Sequence, residues 1–403
     1  MKKIYQSKSA ICVLLLCILC AAFTLRNSNW LLLAAGIIAA ISHGGSKRSM
    51  LSNHVSLQML LLICFGLYAF LVTLVLGEIA GITKLLYQIC WVVIVIIAYP
   101  NNKQEQIVLM KLVKFFMLGL CVLGLYEYYA GVDFWSIIGM TRNSFGYSAS
   151  FNRITSLFYN PLIYSMYLEL ALVLEIQLPI KNRMGHIAAL VLIVLNLAFT
   201  FCRSAWVIMM LSVLLYYIVI ADKKIKISRN AFLIYLCAGI AVAVCCYYNR
   251  EPILELHDLI LKRFSMFGKT DYSYTQRLGA IKNIVAYLAM HPIQFFVGAG
   301  RGYAQQFMQE HGVYQGFDAV DNQYFALLLE SGLIGASMFV ATVILQLNGL
   351  VNRIKNSTCD TSILKAAFMM LCCFAMDIFF YDGMSWYTAI FVFSLIMCMS
   401  KAY

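Results

Sequence analysis

Long apolar runs and short polar breaks alternate from one end of the chain to the other. The runs lie near residues 10–25, 29–42, 55–77, 83–99, 107–131, 160–178, 185–202, 204–221, 230–248, 320–346, 363–381 and 384–400. About 30 Å of hydrocarbon takes about 20 helical residues, so runs of this kind predict membrane-spanning helices. The run 29–42 is short, and is expected to tilt, extend or form a hairpin with its predecessor. Period-two alternation is missing from the aromatic and β-branched stretches, which argues against a β-barrel. The pattern predicts an all-α polytopic integral membrane protein of about 12 transmembrane helices, with residues 1–403 as a single membrane domain. The first run is expected to remain as an uncleaved helix, because Leu19 is too bulky to precede a lipoprotein-type cysteine.

Two regions break the rhythm. Residues 132–160 form a first long extracytoplasmic loop, polar and aromatic, with Asp133, Trp135, Arg142, Asn143, Tyr147, Asn152, Arg153 and Asn160. Asn160 before Pro161 reads as a helix start, a capping side chain followed by proline in the first turn. Residues 249–320 form a large extracytoplasmic loop, too long for a mere connector. Inside it, 273–290 reads as an amphipathic helix with Leu278, Ile281, Ile284, Val285 and Leu288 on one stripe. It would lie at the membrane surface and roof a cavity between the spans. His291-Pro292 ends it, and Gly298, Gly300 and Gly302 cluster around Arg301.

Composition agrees with the pattern: 62% of residues are hydrophobic and 12% charged, too little charge to cover a soluble protein. The net charge of +12 is first a topology signal. Placing both termini in the cytoplasm puts Lys47 and Arg48, Lys103 to Lys114, Lys181 and Arg183, Lys223 to Arg229, and Arg353 to Lys365 inside. The turns 26–29 and 382–385 then face outward with almost no positive charge. The 14 cysteines avoid both long outward loops, so no disulfide framework is expected, and Cys17–Cys20 reads as helix packing. Membrane lipids are the expected surroundings, and no nucleic-acid partner is implied.

Candidate chemistry gathers on the outward side. Arg142, Arg153, Arg203, Arg277 and Arg301 all face it. Guanidinium binds phosphate oxygens bidentately, so converging arginines would suit a diphosphate, including one on a lipid. The plain alternative for each is snorkelling to the headgroups. Asp321 and Asn322 precede the helix near 323; either can cap it, or Asp321 can accept a proton from an acceptor hydroxyl. His311 is an alternative base, with His291 and His257 behind it. The glycine segment 298–302 follows no strand and is expected to be a tight turn. Glu127, Glu169, Glu175, Asp377 and Asp382 lie in or beside spans. Glu127 and Asp377 would be the groups of an ion-coupled carrier, against the plainer reading of helix-to-helix hydrogen bonding. No tight His/Cys/Asp cluster occurs in an outward loop, so neither a metal nor another cofactor is expected.

Four segments in order resemble the bacterial O-antigen ligase and O-antigen polymerase superfamily. They are Arg153-Ile-Thr-Ser-Leu-Phe-Tyr-Asn-Pro161, Thr200-Phe-Cys-Arg203-Ser-Ala-Trp206, and Arg277 leading through Pro292 to Gly298-Ala-Gly300-Arg-Gly302. The fourth is Asp321-Asn322-Gln-Tyr324 through Glu330-Ser-Gly332-Leu-Ile-Gly335. The resemblance covers roughly residues 145–340. It implies an architecture similar to GT-C-type membrane glycosyltransferases and a glycan carried on a polyprenyl diphosphate as donor. The acceptor is lipid A–core in ligases and another carrier-linked repeat unit in polymerases. A chain-length regulator in the membrane is a further implied partner. Arg203 and Arg277, with Arg153 and Arg301, are then expected to bind the diphosphate. Asn322, Tyr324 and Asn160 are expected to line the cavity. Ligases typically carry histidine where this chain has Asp321, so the resemblance favours a polymerase with Asp321 as base and His311 behind it.

Overall fold

The computed structural model describes residues 57–100, 102–131, 147–148, 151–158, 160–220, 272–314 and 318–400. The expected spans at 10–25, 29–42 and 230–248 lie outside these residues. So do Arg142, His257, Cys17 and Cys20, and most of the loop 132–160.

The helices follow the apolar runs closely. In chain order they are α1 (Leu57–Leu76), α2 (Ile79–Ala98), α3 (Lys103–Ala130), α4 (Pro161–Gln177), α5 (Arg183–Phe199) and α6 (Arg203–Val219). Next come α7 (Tyr272–Met290), α8 (Pro292–Val297), α9 (Tyr303–His311), α10 (Gln323–Asn356), α11 (Ser362–Asp377) and α12 (Tyr387–Met399). Between α3 and α4 a two-residue antiparallel ladder pairs Tyr147 with Asn152 and Ser148 with Phe151. Such a tight hairpin is too short to leave a period-two pattern.

Asparagine starts four of these helices. The Oδ1 atoms of Asn102, Asn160, Asn182 and Asn322 each accept from a backbone N–H two residues on, which satisfies a donor the helix leaves free. Asn160 with Pro161 behaves as its sequence predicts. At α10 the cap is Asn322, whose Oδ1 accepts from Tyr324 N at 3.0 Å and Phe325 N at 3.2 Å. Asp321 is thereby left out of the capping role.

Among the described residues three helices, α2, α3 and α10, are long and apolar enough to cross a membrane by length and composition. Four more, including α5, α6 and α12, are apolar but shorter. Helices α4, α11 and α12 form the middle of the bundle, buried on nearly every face. Around them, α10 packs on α1, α2 on α12, α6 on α11, and α3 and α5 on α4. Exposed residues on α1, α5 and α6 are large and apolar, such as Leu67, Val191 and Ile218. A surface of that kind suits lipid better than water.

The bundle has two chemically different ends. At one, Lys103 donates to the Asp360 carbonyl at 2.9 Å, and Arg353 donates to the Ser400 carbonyl at 2.5 Å. Just inside it, Lys114 Nζ lies 2.6 Å from Glu175 Oε2 with both side chains buried, and His186 Nδ1 is 2.6 Å from Glu175 Oε1. The other end carries the loop helices α7 to α9, with Arg153, Arg203, Arg277, Arg301, His311 and Asp321.

The loop helix α7 appears where amphipathicity predicts it, but its docking face differs from the predicted stripe. Ala280, Ile284 and Leu288 are buried, whereas Leu278 is 49% and Val285 53% exposed. A small alanine at the close contact matters more than hydropathy. Gly279 likewise lies so near Val313 that a Cβ there would collide with its side chain.

Candidate functional site

The first part of the site is built on the turn between α5 and α6. Arg153 reaches it from the preceding loop, with Nε donating to the Thr200 carbonyl and Nη2 to Cys202 Sγ, both at 2.9 Å. Ile154 N also donates to the Phe199 carbonyl. Below this strap Glu127 of α3 accepts from Thr155 N at 3.0 Å and Ser156 N at 2.6 Å. Ser156 has φ of 51°, and the carboxylate holds that left-handed residue in place. Glu127 therefore ties α3 to the loop, where its sequence suggested a helix-to-helix hydrogen bond. Arg203 opens α6, half-buried beside the strap.

The second part joins the loop helix to the start of α10. Arg277 Nε lies 3.7 Å from Asp321 Oδ2, with the two side chains 26% and 17% exposed. At 3.7 Å the two are an ion pair and not a hydrogen bond, and Arg277 Nε has no hydrogen-bond partner. Its guanidinium sits over the Phe380 ring, 6.0 Å from the centroid. Asp321 has φ of 53°, a conformation aspartate tolerates better than most residues. Burial pushes its carboxyl up to about 6; the Arg277 guanidinium opposes that rise and Asp382 adds to it. Burial raises Asp382 as well, against hydrogen bonding with Ser385.

The turn after α11 is a hub that joins the second part to α4 and the glycine loop, and hydropathy gave no sign of it. Gln323 N donates to the Ile378 carbonyl at 2.8 Å, and Met384 N donates to Gln323 Oε1 at 2.7 Å. Phe380 meets Arg277, and Tyr381 OH donates to Met166 Sδ of α4 at 3.1 Å. Arg301 Nη2 donates to the Met384 carbonyl at 2.9 Å. A short turn almost free of charge thus touches α4, α7, α10 and the glycine loop.

Arg301 occupies a different chemical position from Arg277. Its guanidinium is paired with Glu330 of α10, and only 9% of the side chain is exposed. Glu330 Oε1 also accepts from Gly302 N at 2.9 Å. The glycine loop clamps a break in α10, where Gly332 has φ of 62° and ψ of −172°. The break frees carbonyls that Ala299 N and Gly300 N then satisfy, at Leu329 and Glu330, each at 2.9 Å. Gly298 packs so closely on the backbone of Glu330 and Gly332 that a side chain would not fit. Gly298, Gly300 and Gly302 have φ between 91° and 97°. The segment is a turn, as its sequence predicts, and its N–H groups serve the broken helix.

The remaining candidates are also located. His311 ends α9 and stacks on Phe307, with centroids 4.6 Å apart and planes 10° apart, inside a cluster with Tyr287. Its neighbouring charge is Glu310, 3.9 Å away. Tyr324 donates its hydroxyl to the Ala375 carbonyl at 2.7 Å and packs near Phe379. Asn160 and Asn322 spend their side-chain carbonyls on capping. Asp377 and Glu169 are buried neighbours in the bundle core, and Glu175 belongs to the opposite end. Among the described residues Cys121, Cys202, Cys372 and Cys373 are buried and form no disulfide.

The fold and site define a helical membrane protein that gathers arginines and a half-buried carboxylate at one end of its bundle. A family model described as O-antigen ligase matches residues 188–340. Over that stretch the chain is similar to the O-antigen polymerase and ligase superfamily, a group of glycosyltransferase-like membrane enzymes. The matched stretch holds Arg203, Arg277, Arg301, His311 and Asp321 to Tyr324, while Arg153 and Asn160 precede it. No curated protein matches the chain.

Proposed function

We propose that the protein is a polysaccharide polymerase. It joins polyprenyl-diphosphate-linked oligosaccharide repeat units on the extracytoplasmic face of the plasma membrane, with both termini cytoplasmic. The observation that carries this reading is the Arg277–Asp321 pair, an unsaturated guanidinium beside a carboxyl raised to about 6. A diphosphate is already a good leaving group, so it needs neutralisation of developing charge, which arginines supply. In the proposed step the acceptor hydroxyl oxygen attacks the anomeric carbon of the donor sugar, opposite the diphosphate. The carbon–oxygen bond to the diphosphate breaks, the diphosphate leaves with the electron pair, and configuration inverts. Asp321 takes the hydroxyl proton, for which a pKa near 6 is well matched. Arg277 and Arg203 meet the diphosphate in this scheme, Arg153 holds the turn that carries Arg203, and Arg301 holds the broken helix. Asp321 in place of histidine favours a polymerase over an O-antigen ligase, which would use the same donor chemistry on lipid A–core.

The test is incubation of the purified chain with carrier-linked repeat units. A ladder of longer glycans is expected; its absence under conditions where a known polymerase works sinks the reading. Transfer to lipid A–core without chain extension identifies a ligase.

A further inference from the structure

Beside the Arg277–Asp321 pair lie two buried amides that the proposed step does not use. Gln276 is 2% exposed, and neither its Nε2 nor its Oε1 has a hydrogen-bond partner. It sits one turn before Ala280, on the face of α7 that packs against the start of α10. Gln323 is fully buried two residues beyond Asp321; its Oε1 accepts from Met384 N, but its Nε2 has no partner. With Arg277 Nε, three residues bring unpartnered polar atoms to one junction. Of the other unpartnered groups, Trp91 Nε1 lies on α2, Arg301 Nε lies in the glycine loop, and the Glu169 and Asp377 carboxyls neighbour each other in the bundle core.

We infer that Gln276 and Gln323 form a hydroxyl-reading subsite for the sugar unit that meets the Arg277–Asp321 pair. Native proteins pair nearly all buried polar groups, because an orphan loses water and gains nothing in return. A carboxamide both donates and accepts, and so does a sugar hydroxyl, whereas an anion would call for more cationic groups. The division of labour is local: Arg277 faces charge, and the amide beside it faces neutral hydroxyls. Two residues beyond Asp321, Gln323 keeps its amide nitrogen unpartnered while its carbonyl is anchored to the hub turn. This inference rests on the proposed glycan substrate and adds where its sugar is recognised.

The test compares the full chain with Gln276→Leu, Gln276→Met and Gln323→Met variants in detergent. Two probes are used: polyprenyl diphosphate bearing an oligosaccharide, and polyprenyl diphosphate alone. Removing the wholly orphaned Gln276 amide is expected to raise the ligand-free Tm by several degrees, the opposite of losing a structural hydrogen bond; Gln323→Met also loses the Met384 N–H bond and is read by affinity alone. The same variants should bind the sugar-bearing probe about three- to tenfold more weakly, the worth of one hydrogen bond, and the bare diphosphate unchanged. Arg277→Ala should weaken both probes. A lowered Tm in both Gln276 variants, or unchanged affinity for the sugar-bearing probe, overturns the subsite. Binding with this pattern but no chain extension leaves the subsite standing and removes the polymerase. Failure of the wild-type chain to bind the sugar-bearing probe removes both.

Discussion

Arg277 on the loop helix and Asp321 at the foot of α10 face each other with Nε and Oδ2 3.7 Å apart. They are 44 positions apart in the chain, and the hub turn through Phe380 and Gln323 sets their approach. The gap is wider than a hydrogen bond. The two groups are thus near enough to influence one another and still able to meet different parts of a substrate.

Arg277→Ala is expected to lower the turnover number for chain extension by about 100-fold or more, as removal of a group that stabilises transition-state charge does. Arg277→Lys should recover little of it, because an ammonium lacks the planar fork. Steady-state extension assays on equal amounts of folded protein check this; wild-type rates in the alanine variant would exclude Arg277 from the site.

Asp321 can act as a base only when ionised. Activity should therefore fall as the pH drops through about 6, the value to which burial raises its carboxyl. Asp382→Asn removes a negative neighbour that helps raise it, so the acid limb should move to lower pH. A pH profile of kcat/KM reads both effects. An acid limb that Asp382→Asn leaves in place would argue against Asp321 as the titrating group.

The same raised carboxyl bears on stability. A folded pKa above the unfolded value means that the neutral acid is favoured in the folded chain, with stability lost as pH rises through about 6. Asp321→Asn keeps a residue that tolerates φ of 53° and removes the buried charge. At pH 7.5 it should raise the Tm, by about 1–2 kcal/mol of stability, while abolishing chain extension. The gain should vanish below pH 4, which thermal melts at the two pH values can measure.

Gly332→Ala should be costly. A Cβ at Gly332 would run into the Phe296 carbonyl, and φ of 62° disfavours any side chain. About 2–3 kcal/mol of stability is expected to be lost, seen as a lower Tm. A wild-type Tm would mean that the break in α10 does not depend on glycine.

At the opposite end, Lys114→Met leaves Glu175 buried without its cation. A loss of about 3–5 kcal/mol is expected, because His186 and the Ile180 N–H offset only part of the remaining carboxylate's desolvation. Lys114→Met combined with Glu175→Gln should be less destabilised than Lys114→Met alone. Equal Tm values for the single and double variants would argue against this account.

Hydrophobic periodicity sufficed for the positions of α1 to α6 and α10 to α12, for Asn160 as a cap, and for the amphipathic α7, whereas the short α8 and α9 left no sign in it. These features depend on burial in lipid and on local backbone donors, which neighbouring residues in the chain specify. Sequence order and residue type also singled out Arg153, Arg203, Arg277 and Asp321, because permanent charge among apolar runs is conspicuous. Their partners were not legible. That Arg277 meets Asp321 while Arg301 is bound to Glu330 depends on how α7, α10 and the turn at 378–384 dock. The free carbonyls at Leu329 and Glu330 exist only because α10 breaks at Gly332, and that break is held by a loop about 30 residues earlier in the chain. The unpartnered amides of Gln276 and Gln323 are polar residues of no special pattern until packing removes their water. Local composition decides which groups are charged and which helices form; long-range packing decides which charges are already satisfied and which remain open to a substrate.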